Sequence, residues 1–287
     1  MARLSPGVRN MLLATILFSL MNVGVKLVPN IPAVEIIFFR SVISLVISAS
    51  ILKFNKVNVW GNNHFLLISR GVVGATALIL FFITLQKIPL ASAATIQYTS
   101  PIFTAILGVY IVREKVKPVQ WLFFLIAFTG VLIVEGFDAR VSGFYLFLGL
   151  TSGLFSGLAY NIIRKLHRSE HPLVIVFYFP LVALPISGAY SLFNWVQPQG
   201  AFEWIVLIAI GILTQFAQYF LTKSYQSEEL SKVAILKYIG LIFALLYGFV
   251  IFDEHFNLLT YLGMTIVLVG VIGNVWYKEH LQSKTTR

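Results

Sequence analysis

Apolar residues fill this chain in long blocks, at 8–28, 33–52, 65–85, 91–111, 118–134, 143–163, 172–193, 201–222, 231–251 and 258–277, and Pro, Asn and charged residues gather in the short breaks between them. A helix of about 17–25 apolar residues crosses a hydrocarbon core ~30 Å thick while satisfying its own backbone polar groups. The pattern therefore predicts an all-α polytopic membrane protein with ten transmembrane helices. No break is long enough for a soluble catalytic domain, so function is expected within the membrane.

Composition strengthens this reading: 58% of the residues are hydrophobic and 11% charged, far from the balance of a water-soluble domain. The net charge of +10 comes from Lys and Arg in breaks beside apolar blocks, where membrane topology explains it. Nucleic acid is not an expected partner. The chain has no cysteine, which excludes a disulfide framework and a thiolate metal site, and neither a metal nor a cofactor is expected. The first block is too long, and too poor in a small-residue cleavage site, for a removable signal peptide.

The chain also matches itself at an offset of 140 residues without gaps. Gly71 aligns with Gly211, Gln86 with Gln226, Leu90 with Leu230, Tyr98 with Tyr238, Gly108 with Gly248, Glu114 with Glu254 and Gly130 with Gly270. Pro32 and Phe39 likewise meet Pro172 and Phe179. Apolar coincidences are cheap in such a sequence, but Pro, Gly, Gln and Glu in one register are not. Two units are expected, residues 1–140 and 141–287.

Five helices per unit is an odd number, so the second unit is expected to enter the membrane upside down. With a cytoplasmic N-terminus, Arg3, Arg9, Lys53, Lys56, Arg113, Lys115, Lys117, Arg164, Lys165, Arg168, Lys223, Lys278, Lys284 and Arg287 all fall inside. Only Lys87 and Arg140 lie clearly outside. The basic break at 113–117 pairs with 253–257, which carries no Lys or Arg, as expected if the two lie on opposite sides. Inverted units can exchange conformations and expose a shared midplane site to each face in turn.

Arg70-Gly71 through Leu85, Pro89-Leu90-Ala91, Tyr98-Thr99-Ser100-Pro101, Glu114 and Gly130-Val131, followed by Glu254, Gly263 and Gly270-Val271, resemble the EamA family of the drug/metabolite transporter superfamily. Arg40 suits the same pattern. The resemblance implies a ten-helix carrier of small solutes with both termini in the cytoplasm, in a cell's inner membrane. It also implies that a Lys on helix nine contacts the anionic part of a substrate, as in the phosphate and nucleotide-sugar branches.

Ionisable groups at depth are candidates for function unless they snorkel or pair. Lys26 and Lys232 lie near block ends and are expected to snorkel. Arg40 sits about seven residues, or roughly 10 Å of helical rise, below the edge of its block. Arg70 lies about a turn and a half into the third block, and Gly71 and Gly74 after it permit close helix approach. Lys237 is at similar depth in the ninth block, and its register partner is Gln97; the next residues, Tyr238 and Tyr98, are both aromatic. A polar residue beside an aromatic at one position of both units suits a midplane site. Asn22 and Tyr160 complete the candidate substrate-binding set. Glu114 and Glu254, ending the fourth and ninth blocks, are expected to accept hydrogen bonds from the helix that follows each. Pro101 should bend the fourth block, and Gly149, Gly153 and Gly157 form a stripe suited to close packing.

The function expected is secondary transport of a small anionic or zwitterionic metabolite such as an amino acid, organic acid or nucleotide-like solute. The alternatives are an exporter of amphipathic or uncharged metabolites and a non-transporting membrane binding module. An intramembrane enzyme is not expected, because His64, His167, His171, His255 and His280 all lie outside the blocks or at their edges. A small-molecule substrate and the lipid bilayer are the expected partners, and a homodimer is compatible with the sequence.

Single cysteines at Ser283 and Asn257 test the topology in this cysteine-free background. An impermeant reagent on intact cells should label Asn257→Cys and spare Ser283→Cys; the opposite pattern would invert the assignment.

Overall fold

The computed structural model describes residues 5–114, 116–137, 141–255 and 257–285, and these contain α1 (Pro6–Leu27), α2 (Ala33–Phe54), α3 (His64–Lys87), α4 (Leu90–Gln97), α5 (Ser100–Ile111), α6 (Pro118–Phe137), α7 (Gly143–Lys165), α8 (Pro172–Phe193), α9 (Gly200–Ser227), α10 (Leu230–Val233), a 3-10 segment (Ala234–Tyr238), α11 (Ile239–Phe252) and α12 (Leu258–Thr285). Of the residues in the charge argument, Arg3, Lys115, Arg140 and Arg287 lie outside the described residues, as does Phe256 of the 253–257 break. The side chains of Lys278, His280, Ser283 and Lys284 are outside them too.

The helices occupy the expected blocks. Six of them, α1, α2, α3, α7, α8 and α9, are long and apolar enough to cross a membrane, and shorter apolar helices accompany them. Local chemistry sets where they start. Ser5 and His171 cap α1 and α8 ahead of Pro6 and Pro172, and the Asn63 side chain accepts the Leu66 N–H at 3.1 Å ahead of α3. Proline at a first helical position forfeits no intrahelical hydrogen bond.

The fourth and ninth blocks are not continuous helices. Pro101 has no N–H to return to Gln97, and α4 stops there: the Thr99 N–H bonds only as far back as the Ile96 carbonyl, at 3.0 Å, and α5 begins at Ser100. The ninth block breaks at the equivalent height without a proline, tightening to 3-10 geometry over Ala234–Tyr238. That second break carries no mark in the sequence.

Helix packing follows the 140-residue register. α1 packs on α9 as α7 packs on α3, and α3 packs on α8 as α9 packs on α2; α2 meets α8 and α6 meets α12. At the α6–α12 crossing, a Cβ on Gly130 would sit 2.5 Å from the Gly263 carbonyl oxygen, and one on Gly270 would sit 2.7 Å from that of Phe123. Each glycine lets the other helix's backbone approach. The Gly149, Gly153 and Gly157 stripe packs on the broken helix: added Cβ atoms would meet Ile96, Thr99 and Phe103. Lipid supplies no hydrophobic drive between helices, so such close approach is a main source of cohesion.

At one end of the bundle the Glu254 carboxylate accepts the Leu90 N–H at 2.9 Å and pairs with Lys26 Nζ at 2.6 Å. At the other end Glu114 accepts the Leu230 N–H at 3.1 Å and pairs with Arg164 Nε at 3.1 Å. The expectation that each acid serves the helix that follows it is thus corrected. Each caps the first turn of the broken helix at the register-paired position, where exposed N–H groups and the helix dipole favour an anion. Lys26 does not snorkel, because Glu254 offers a fixed counterion at its own level. Lys232 is also paired, with Glu228 at 3.0 Å. Glu228 itself lies between α9 and α10; burial pushes its carboxyl up, but hydrogen bonds from Ser5 and Lys232 and the charge of Arg164 hold it below the usual carboxylate range.

Gln86 and Gln226 are used alike: the first donates to the Ile31 carbonyl at 2.8 Å, the second to that of Glu170 at 2.9 Å, each tying a helix end to the connection between two others.

Gly157→Leu should lower stability by about 2 kcal/mol through overpacking against Phe103, measured as a drop in the detergent unfolding midpoint. Gly143→Leu is the control, since a Cβ there meets nothing within 4 Å. Equal midpoints for the two variants would remove the stripe from the packing. Glu254→Gln should destabilise by on the order of 3 kcal/mol, because Lys26 loses its counterion in a buried setting; an unchanged midpoint would show that the pair contributes nothing.

Candidate functional site

α7 supplies the polar face of the site. Ser152, Ser156 and Tyr160 recur at intervals of four, so they stack along one side of the helix, next to the glycine stripe that presses α7 against α4 and α5. Gln97 is held by two of them: its amide nitrogen donates to Ser156 Oγ at 3.0 Å, and Ser152 Oγ donates to its amide oxygen at 3.0 Å. Lys237, at the register-paired position, reaches the third. Its Nζ donates to Tyr160 Oη at 2.9 Å and to Ser100 Oγ at 3.5 Å, and lies 4.4 Å from the Tyr160 ring centroid. Tyr160 in turn stacks on Tyr225 at 4.8 Å.

The 3-10 turn places Lys237. An uninterrupted α-helix would rotate successive side chains by about 100°, and the tighter turn changes which way this one side chain leaves the backbone. Ser100, at the start of α5 just past the other break, meets it there.

Arg70 approaches from α3. Its Nη2 donates to Gln218 Oε1 at 3.1 Å, and its guanidinium carbon lies 4.7 Å from the centre of the Phe179 ring. Gly74 one turn on leaves room for it: a Cβ there would collide with Arg70 Nη1. Gly71 also faces α8, with Val182 and the Tyr178 carbonyl oxygen within contact distance of an added Cβ.

Asn22, Arg70, Gln97, Tyr98, Tyr160 and Lys237 all line one cavity of about 110 Å³, together with Ser156, Gln218 and an apolar wall that includes Phe18, Leu78, Phe81 and Phe179. Six of the eight residues singled out from the sequence thus face one space. Arg40 and Tyr238 do not line it. Arg40 is 1% exposed and packs behind Phe179, its guanidinium carbon 5.3 Å from that ring and 5.8 Å from the Phe82 ring. Tyr238 is fully buried against Tyr98, ring centroids 5.3 Å apart, its hydroxyl without a hydrogen-bond partner among the described residues. This tyrosine pair joins the two broken helices where they cross, and Gly240 leaves space for the Tyr98 hydroxyl.

Sequence reasoning missed Ser152, Ser156 and Gln218. The serines carry no signal, since small hydroxyls recur on most of these helices. Gln218 did carry one: it is an amide in the middle of an apolar block, and its register partner Leu78 lines the same cavity. Among the described residues no cluster of His, Asp and Glu suited to a metal is present, and no Asp or Glu lines the cavity.

The chain matches the model of the EamA-like transporter family over residues 5–135 and again over 143–276. It is 32% identical to the Pseudopaline exporter CntI of Pseudomonas aeruginosa (strain UCBPP-PA14), across 94% of this chain and 95% of that protein. It is 29% identical to Solute carrier family 35 member G1 of Homo sapiens, across 95% of this chain and 80% of that one. A solved crystal structure superposes with a TM-score of 0.77 over 98% of this chain and 99% of its own, at 15% identity, a likeness of fold alone.

Proposed function

Since the chain belongs to the EamA-like transporter family, we propose that it is a secondary transporter that carries a small anionic or zwitterionic organic solute across the inner membrane by alternating access. The observation that carries this reading is Lys237, held at a break in the ninth block, lining a cavity and, among the described residues, hydrogen-bonded only to hydroxyls. A cation at that depth without a carboxylate partner among the described residues favours an anion from outside. The aromatic and aliphatic wall opposite suits a solute with an apolar body, and a relative 32% identical to this chain is named as an exporter of an organic solute, pseudopaline.

The architecture proposed is ten spans in two inverted five-helix units, 1–140 and 141–287, with both termini cytoplasmic. Support comes from the two separate family matches, from the register-paired helix contacts, and from the ion pairs Lys26–Glu254 and Arg164–Glu114 at opposite ends. Breaks in both crossing helices at cavity height are what such carriers use to build a midplane site.

Uptake of labelled metabolites into proteoliposomes tests the function, with a ligand screen by thermal stabilisation to find the solute. Lys237→Gln, which keeps length and polarity, should raise the half-saturating concentration at least tenfold, about 1.4 kcal/mol. Lys237→Arg should retain part of the activity, its planar fork fitting the lysine's place imperfectly. Unchanged kinetics in correctly inserted Lys237→Gln would remove the lysine from the site.

A further inference from the structure

Cations surround this cavity at two separate places. Lys237 sits with Tyr160 and Ser100; Arg70 and Arg40 sit together around Phe179, within electrostatic reach of each other. The two arginines are 3% and 1% exposed. Yet among the described residues neither forms an ion pair, and Arg70 Nε and Nη1 and Arg40 Nη1 have no hydrogen-bond partner. Among the described residues the one hydrogen bond the pair makes is donated by Arg70 Nη2 to a neutral amide oxygen, Gln218 Oε1.

Two like charges against one ring repel, and each has lost its hydration. Contact with an aromatic face returns only part of that, at about 2 kcal/mol for a desolvated cation. A guanidinium fork with free N–H groups fits the two oxygens of a carboxylate or phosphate, which lysine cannot grip in the same way. We propose that the Arg70–Arg40 pair is a second anion subsite, so that the transported solute carries two separated anionic groups, carboxylate or phosphate, one at Lys237 and one at Arg70. This rests on the transport reading above.

Arg70, which lines the cavity, makes the direct contact. Arg40 does not reach the cavity and acts through its charge behind Phe179, favouring a second negative group over a neutral one. A solute with a single anionic group compensates one pole and leaves the other uncompensated, so it binds less well. Phe81 and Phe179, which line the same cavity, offer apolar surface for the hydrocarbon that connects the two groups.

The test uses the full-length protein in detergent and reads dissociation constants from thermal stabilisation. Straight-chain dicarboxylates from malonate to pimelate are each compared with the monocarboxylate of equal length, and with inorganic phosphate. At least one dicarboxylate should bind tenfold or more tightly than its monocarboxylate. Arg70→Gln and Arg40→Gln should each shrink that preference below threefold, and Arg40→Lys, which restores the charge, should recover it. Recovery separates an electrostatic role from a structural one. The subsite is overturned if mono- and dicarboxylates bind alike, if the preference survives in both glutamine variants, or if inorganic phosphate binds as tightly as any dicarboxylate. In each of those cases binding of monocarboxylates that depends on Lys237 would leave the transport reading standing. Absence of any organic-anion binding would overturn both.

Discussion

Two carboxylates, Glu114 and Glu254, hold this bundle together, and its most unusual feature depends on them. A helix interrupted in a hydrocarbon environment exposes backbone groups that water cannot satisfy, and α4 and α10 are short helices that start again the same problem at the bundle ends. Each acid ends one broken helix and caps the first turn of the other, at 2.9 Å for Leu90 and 3.1 Å for Leu230, while a cation from a third helix neutralises it. Without these caps the two breaks would be expensive. With them, Lys237 and Gln97 can be turned toward one cavity.

Cohesion elsewhere draws on polar side chains held inside the bundle, with large apolar ones on its outside. Ser41, Ser44 and Ser48 on α2, Ser152 and Ser156 on α7, and Ser187 and Ser191 on α8 are buried, whereas Phe54, Phe65, Phe144, Leu192 and Phe193 are exposed. In lipid this is the stable arrangement, because apolar side chains lose nothing by facing acyl chains, while Ser44, Ser152, Ser187 and Ser191 each donate to a backbone carbonyl inside the bundle. Helix ends are tied by side chains that reach across connections, as Glu170 does in accepting the Asn62 N–H at 2.7 Å.

Helix positions were legible in the sequence because the bilayer sets a minimum apolar length and proline marks starts and bends. Pro101 announced the break between α4 and α5. Nothing announced the 3-10 turn at Ala234–Tyr238, since its residues are ordinary helix formers; it lies between the Glu114 cap at Leu230 and the Tyr98–Tyr238 contact. Lys237, Arg70 and Gln97 were found because polar groups at depth are costly and so carry information. Tyr238 was singled out by its match to Tyr98, but one aromatic of the pair faces the cavity and the other fills the crossing. Register symmetry identifies related positions; it does not say which of two related side chains a single asymmetric cavity will use.

That asymmetry is informative about transport. The register pairs Lys237 with Gln97 and Arg70 with Ile210, so every cation bordering the cavity has a neutral counterpart in the other unit. The ion pairs at the two ends, by contrast, have an acid at register-paired positions, Glu114 and Glu254, and a cation beside each. Under the alternating access proposed above, each end would open while the other stays shut, which calls for two fastenings of comparable strength at the two ends. Selection of a solute has no such requirement, because one molecule in one cavity meets both units at once. On the transport reading proposed above, the register keeps in both halves what a conformational cycle would need twice and lets diverge what binding would need once.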